Sequence, residues 1–407
     1  MKIIDLTEKE YENYANSNQA NFGQTLEYSR IKAHRHKEKF FLGMIDNNEN
    51  IYAAALILIH NVSSFVKEAI APNGFIIDYA NFELVAKFTE LLKNYLLKER
   101  VTYLITNPMF KYHVYNQKNI MLENNDNIYD NLLRLNYDSI GYFSDFERYD
   151  IIIENSNSIN DIYRNFNRNT KRNIKSALNL GITLHKGDIN DLPLAYEIIK
   201  KKSHRNYEFY EDLMRIYNTK NNEIGIFFAK LNPHKYLVNI QKLYENEKMK
   251  NEKIHEKFKA NTSKTNEKLF NKKINSDNTL AKYREELNKA IGLNQKYSSD
   301  VVTGTSIIIK NNHEIYFLID GYKEEFRHIH STHILKWAII RKYFAENYHI
   351  FNLGEIHKDY FDKSSKYYNQ YRYKLGFGGN IVEYTPNLIL VINKPIYHLH
   401  TSINRQK

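Results

Sequence analysis

Cysteine is absent from the 407 residues, which excludes disulfides, a thiolate nucleophile and cysteine-ligated zinc. Long apolar runs are missing as well. The longest, "YAAALILI" at 52–59, has strand length and falls far short of the roughly 20 residues that a membrane-spanning helix needs. The opening "MKIIDLTEKEYENY" lacks the basic, apolar and small-residue order of a signal peptide, so the expected compartment is the cytoplasm. No Gly-x-Ser-x-Gly elbow, Walker loop or dinucleotide fingerprint occurs. Nor does the Arg/Gln-x-x-Gly-x-Gly turn with which acetyltransferases hold the pyrophosphate of coenzyme A. A His-Glu-x-x-His pattern and facing carboxylate pairs are lacking too, so the grouped His328, His330 and His333 read as hydrogen-bonded structural histidines ahead of metal ligands. Alternation on an extended segment would put His328 and His330 on one side, with His333 opening the next helix.

What is present is a chain long enough for two or three domains, with 42% hydrophobic residues to build their cores. The formal charge is +11, which favours a phosphate-bearing partner. A composition rich in Asn, Lys, Ile and Tyr, such as AT-rich coding produces, also accounts for much of that charge.

Four stretches differ in texture. Residues 1–150 alternate helical and strand patterns: a short helix at "QTLEYSRIKAH", strands at "FFLGMI" and "IYAAALILIH" around the turn "DNNEN", and a helix that aligns Leu84, Phe88, Leu91, Leu92 and Leu96. A strand "VTYLIT" is stopped by Asn107-Pro108. Residues 151–235 open with the strand "YDIIIE", followed by one basic helix, "DIYRNFNRNTKRNIKSALNLG", ending at Gly181. Residues 236–299 lose all strand signal. Leu237, Ile240, Leu243, Ile254 and Phe258, then Leu280, Tyr283, Leu287 and Ile291, form two narrow apolar stripes on either side of the turn-like "NSDN" at 275–278. That pattern predicts an antiparallel two-helix coiled coil; a disordered charged linker is the alternative. Residues 300–407 return to strands, with the sole tryptophan, Trp337, on a helix. Hairpin, helix and strand follow one another in both the first and the last part, which predicts two related α/β units with the arm inserted in the second.

Two stretches carry the chemistry. Arg164, Arg168, Lys171, Arg172 and Lys175 recur at three- and four-residue steps, and no acidic residue intervenes between Asp161 and Asp188. Such a side is either a solvated face or a contact for the phosphates of RNA, a nucleotide or a lipid. "YRYKLGFGGN" at 371–380 sets Lys374 before three glycines. Read alone it is a glycine turn with an exposed lysine, and on an extended segment Tyr373 and Lys374 would face opposite ways.

The order of four segments resembles the FemABX family of peptidoglycan-bridge aminoacyltransferases: "QTLEYSRIK", "NRNTKRNIKSALNLGI", "RNYEFYEDLMRIY" and "YRYKLGFGGNIVEYTPNLIL". Together they span nearly the whole chain, and the inserted arm resembles that of the branch acting on lipid-linked muropeptide. The resemblance implies an α/β fold of two acetyltransferase (GNAT)-like subdomains with an inserted coiled-coil arm. It implies a tRNA-dependent aminoacyltransferase that adds an amino acid to the stem or bridge peptide of lipid II, at the inner membrane face. Aminoacyl-tRNA would be a co-substrate in place of a cofactor, which accords with the missing coenzyme loop, and pairing with other family members as dimers is in keeping with it. Lys374 matches the lysine at the aminoacyl-tRNA terminus, where a cation would stabilise the oxyanion of ester aminolysis. Lys32 and Arg205 match basic residues that hold a diphosphate, and Tyr210 and Tyr373 match substrate-contacting positions. Arg168, Lys171, Arg172 and Lys175 are candidate tRNA or phosphate contacts. Tyr373 stands in place of the usual Phe, and Asn107 where family members often place Asp, while no general base transfers. A non-catalytic RNA- or partner-binding protein and a coenzyme A-dependent acetyltransferase stay open as other readings.

Overall fold

The computed structural model of the chain describes residues 1–32, 38–144, 148–154, 156–218, 222–260, 267–311 and 313–404. They build a mixed α/β architecture of one seven-stranded and one nine-stranded sheet, with a helical hairpin projecting from the second.

The first sheet begins with Lys2–Asp5, Glu38–Ile45, Ile51–Asn61 and Lys67–Ala71 in antiparallel succession, then turns parallel at Tyr103–Thr106. The second repeats that series. Ile182–Gly187, Glu223–Leu231, Val301–Lys310 and Glu314–Tyr322 run antiparallel, and Ile350–Ile356 is parallel to the last of them. A long helix precedes each parallel strand: Phe82–Lys98 in the first unit, Ser331–Phe344 in the second. The expected repeat is therefore real at the level of strand order. Helix Phe82–Lys98 shows how the pattern becomes packing. The Asn81 side chain caps it by accepting from the Leu84 N–H at 3.1 Å, and Val85, Phe88, Leu92 and Leu96 sink into the sheet.

The arm occupies the place that the tight turn 46–50 holds in the first unit, between the second and third strands of the series. Its helices are Pro233–Ala260 and Glu267–Lys296. The hairpin is as expected but its turn is not: residues 275–278 lie inside the second helix, and the connection, 261–266, lies outside the described residues. The polar letters that read as a turn are an interhelical contact. Asn251 Nδ2 donates to Ser276 Oγ at 3.2 Å and to Asp277 Oδ1 at 2.7 Å, His255 meets the same carboxylate at 2.6 Å, and Lys273 reaches it at 3.0 Å. A polar node of this kind fixes the register of two otherwise weakly striped helices.

The strands do not respect a division at residue 150. Lys111–Tyr115 and Met121–Asn124 join the second sheet beside Asn380–Tyr384, while Asn387–Val391 returns to the first sheet between Tyr103–Thr106 and Tyr137–Gly141. Both crossings occur at the same place. Pro108 has no N–H to continue the strand ladder, and its carbonyl accepts from Thr385 Oγ1 at 2.9 Å, pinning the outgoing and returning chains together.

Candidate active site

The parallel strands Glu314–Tyr322 and Ile350–Ile356 stay paired only from Glu314↔Ile350 to Tyr316↔Asn352 and then separate. The gap holds Gly354 in a left-handed conformation, φ +84°, so close to its surroundings that a Cβ would lie 2.9 Å from the Phe317 carbonyl and 3.2 Å from Lys374 Nζ. Lys374 enters this gap from a short helix, Tyr368–Leu375, and donates to the Glu355 carbonyl at 2.6 Å. The expected extended segment is thus helical. Tyr371 packs into the core below, and the Gly-Phe-Gly-Gly that follows ends the helix.

Burial depresses the Lys374 ammonium to about 8, and the Lys336 cation adds to the effect against the pull of Asp150, Asp320 and Glu355. Lys336 is fully buried under the same helix, ion-paired with Asp320 at 2.8 Å and 3.8 Å above the Phe317 ring. Asp320 also accepts from Ser306 Oγ at 2.6 Å. On the opposite side Asp150 accepts from Asn352 Nδ2 at 2.7 Å. Burial raises its carboxyl and Lys374 lowers it in part. Glu314 is pushed up to about 7, chiefly by burial and then by the Asp150 charge. The result is a half-buried lysine whose charge is set by its burial and by Lys336 on a helix and Asp150, Asp320 and Glu355 on three strands.

The three glycines let other segments of this chain approach closely. Gly376 abuts the basic helix, where a Cβ would lie 2.4 Å from Thr170 Oγ1, and its carbonyl accepts the Asn167 N–H at 2.9 Å. Gly378, at φ +85°, lies against the Asn165 backbone, and Gly379 against the Ile152 carbonyl. They admit neighbouring segments of this chain and seat the lysine helix on them.

The basic helix is correspondingly two helices, Ile159–Asn165 and Arg168–Asn179. Phe166 leaves the helical path to pack against Trp337 and Phe377, and Asn167 caps the second helix through Thr170 N–H at 2.8 Å. Arg164 therefore belongs to a different helix from the other cations. Lys171 donates to the Arg164 carbonyl at 2.8 Å, closing the end of the first helix. Arg168, Arg172 and Lys175 are exposed and form no ion pair among the described residues.

Lys32 and Arg205 converge from different units. Lys32 ends the helix Leu26–Ile31, its ammonium 5.4 Å from the Tyr28 ring; the following residues, 33–37, lie outside the described residues. Arg205 packs 4.2 Å above the Phe209 ring, and its charge reaches the hydroxyls of both Tyr28 and the half-buried Tyr316. Two bonds lock these elements together: Thr25 Oγ1 to the Tyr217 hydroxyl at 2.5 Å, and Asn222 Nδ2 to Glu27 Oε1 at 2.9 Å. The Tyr316 hydroxyl thus feels the Arg205 charge and also borders the Lys374 gap, 3.8 Å from where a Cβ on Gly354 would lie. Tyr210 is 2% exposed and its hydroxyl meets Ser203 Oγ at 2.8 Å, while Ser203 also holds the Arg205 backbone. Tyr373 is likewise turned inward, its hydroxyl on the Thr332 carbonyl at 3.1 Å and its ring against His333 and Phe377.

The histidines do not alternate on an extended segment. His328 ends a 3₁₀ stretch, Glu324–Ile329, and pairs with Glu286 of the arm at 3.1 Å. His330 takes φ +60° ahead of the next helix. His333 lies within that helix against Asn173 at 3.2 Å and is held neutral by burial, at about 3. Among the described residues no three His, Asp or Glu side chains could hold a metal ion.

Sequence reading missed Asp150, Asp320, Lys336 and Asn352. Lys336 had a signal, a lone charge on the apolar face of "HILKWAII"; the others sit in strands and gain meaning only from their register.

Comparison with known proteins accords with this architecture. The structure of FemX superposes with a TM-score of 0.74 at 16% identity, covering 98% of this chain and 99% of that one, so the fold is that of FemX. The FemAB family model matches residues 6–405, and the chain belongs to the FemAB family. The aminoacyltransferase FemA of Staphylococcus epidermidis is 24% identical over 423 residues, covering 100% of both chains. That of Staphylococcus aureus is 24% identical over 429 residues, covering 100% of this chain and 99% of its own.

Proposed function

We propose that this chain, an aminoacyltransferase of the FemAB family, transfers an amino acid from aminoacyl-tRNA to an amine on the stem or bridge peptide of a lipid-linked peptidoglycan precursor. The observation that carries the reading is Lys374: a half-buried ammonium held in the gap between two separating strands, with Arg205 and Lys32 grouped around Tyr28.

In this reaction the acceptor amine attacks the ester carbonyl, a C–N bond forms, and the C–O bond to the ribose breaks. The proton lost by the amine ends on the departing ribose oxygen. Lys374 supplies positive charge where the tetrahedral oxyanion develops, a contribution of several kcal/mol. Arg205 and Lys32 suit the diphosphate of the acceptor, Arg205 through its planar fork. Tyr210 supports Arg205 through Ser203, and Tyr373 anchors the lysine helix. Exposed Arg168, Arg172 and Lys175 suit the tRNA backbone. No cofactor is required, since the ester is already activated. No helix among the described residues is long and apolar enough to cross a membrane, so the protein would meet its lipid-linked acceptor peripherally, at the cytoplasmic face, alone or paired with a relative.

Mass spectrometry of lipid-linked muropeptide after incubation with the purified protein and a full set of charged tRNAs tests the reading. A single mass increment identifies reaction and donor together. An unchanged spectrum, with the tRNAs shown to be charged, overturns it.

A further inference from the structure

We propose that Asp150 and Asn352 are positioning residues for Lys374, closing a ring of contacts that fixes the carbonyl on which the lysine rests. The inference builds on the reading of Lys374 as the cation of the transfer site.

The ring can be followed atom by atom. Lys374 donates to the Glu355 carbonyl at 2.6 Å. The preceding Gly354 N–H is held by Asn352 Oδ1 at 2.8 Å, which fixes the left-handed bend that aims that carbonyl. The other end of the same amide, Nδ2, donates to Asp150 Oδ2 at 2.7 Å, and the Tyr384 hydroxyl donates to that oxygen at 3.4 Å. Tyr384 ends the strand Asn380–Tyr384, which follows directly on the Gly-Phe-Gly-Gly after the lysine helix. Asn352 thus spends its donor and acceptor on the two sides of one bend.

Asp150 and Asn352 are 4% and 3% exposed, and a carboxylate at that depth is tolerated only with donors and a countercharge. Asn352 and Tyr384 are the donors and Lys374 is the cation that stabilises it. The dependence is mutual. The groups facing Lys374 are Lys336, Asp150, Asp320 and Glu355; those facing Asp150 include Glu314, Tyr316 and Tyr384. Replacing Asp150 by its neutral isostere removes a charge that favours the ammonium and leaves the Lys336 cation opposing it, so Lys374 must lose its proton at lower pH.

The full-length protein without tRNA or acceptor provides a readout independent of catalysis. The midpoint at which Lys374 becomes reactive toward acetic anhydride, followed residue by residue by mass spectrometry across pH, reports its protonation. Asp150→Asn is expected to lower that midpoint by about half a unit or more, and to carry the alkaline limb of kcat down with it. The KM for charged tRNA should stay within about twofold. Asn352→Ala, which removes the support of the bend, is expected to shift the midpoint in the same direction and decides the matter if Asp150→Asn does not fold. An unmoved midpoint in a folded variant overturns the inference, even if activity falls uniformly at every pH. A shifted midpoint in a protein whose wild type transfers nothing would leave the ring intact and remove the catalytic reading instead.

Discussion

Gly376 stands so close to Thr170 that a Cβ on it would come within 2.4 Å of the threonine Oγ1. The end of the lysine helix and the start of the basic helix are therefore one packed joint, and the carbonyl of Gly376 accepts the Asn167 N–H across it. Gly376→Ala must force this joint apart and should destabilise the protein by about 1–3 kcal/mol. Gly378→Ala adds the strain of a side chain at φ +85° against the Asn165 backbone. Thermal denaturation checks both. Unchanged melting temperatures would mean that the joint yields without cost.

Lys374→Met should lower kcat for aminoacyl transfer by about 10²–10³-fold, the usual cost of losing one oxyanion donor, with charged tRNA still bound. Filter binding beside single-turnover transfer separates the two. A fully active variant removes Lys374 from the chemistry.

The same lysine sets a pH limit. If it acts as a cation, activity should be present while it is protonated and decline as pH rises through about 8. An ordinary lysine, near 10.4, would show no such decline in that range. Lys374→Arg, charged at every accessible pH, should retain a reduced rate and lose the alkaline limb. The profile of kcat against pH for the two proteins decides it.

Arg205→Ala is expected to raise the KM for a diphosphate-bearing acceptor about tenfold or more while kcat changes little, as the proposed role in binding, away from the bond being broken, requires. Ser203→Ala should give a milder form of the same defect through the Arg205 backbone. Steady-state kinetics with acceptors bearing and lacking the diphosphate would distinguish this from general loss of structure.

Neutralising Arg168, Arg172 and Lys175 together should weaken tRNA binding and reduce the slope of log affinity against log salt by about 2–3, near one unit for each lost phosphate contact. The three side chains are exposed, so melting temperature should hardly change. An unaltered slope places the tRNA elsewhere.

Much of this fold could be read from letters because its signals are local. The hairpin around residues 46–50, the stripe of helix Phe82–Lys98 and the two arm helices each depend on spacing within a single element. Lys374 is singled out as a candidate only by its place in an ordered series of segments. Its surroundings were not legible. Asp150, Asn352, Asp320 and Lys336 lie on three strands and a helix, separated by up to two hundred residues, and meet only through strand register. The break at Phe166 was hidden for the same reason: its cause is the partners Trp337 and Phe377, far along the chain. The misplaced arm turn shows a further limit. Asn, Ser and Asp favour turns in water, but between two helices the same groups satisfy one another.

The strand exchange gives the molecule a timetable. Asn387–Val391 is an interior strand of the first sheet, flanked on both sides by segments made more than two hundred residues earlier. During synthesis the first sheet must therefore wait, with Tyr103–Thr106 and Tyr137–Gly141 unjoined, until the chain as far as Val391 has left the ribosome. The Lys374 segment emerges just before that closing strand. The gap that Lys374 enters and the seal of the first sheet are thus completed by one short stretch of chain, so a nascent chain has neither until the segment from Lys374 to Val391 has emerged.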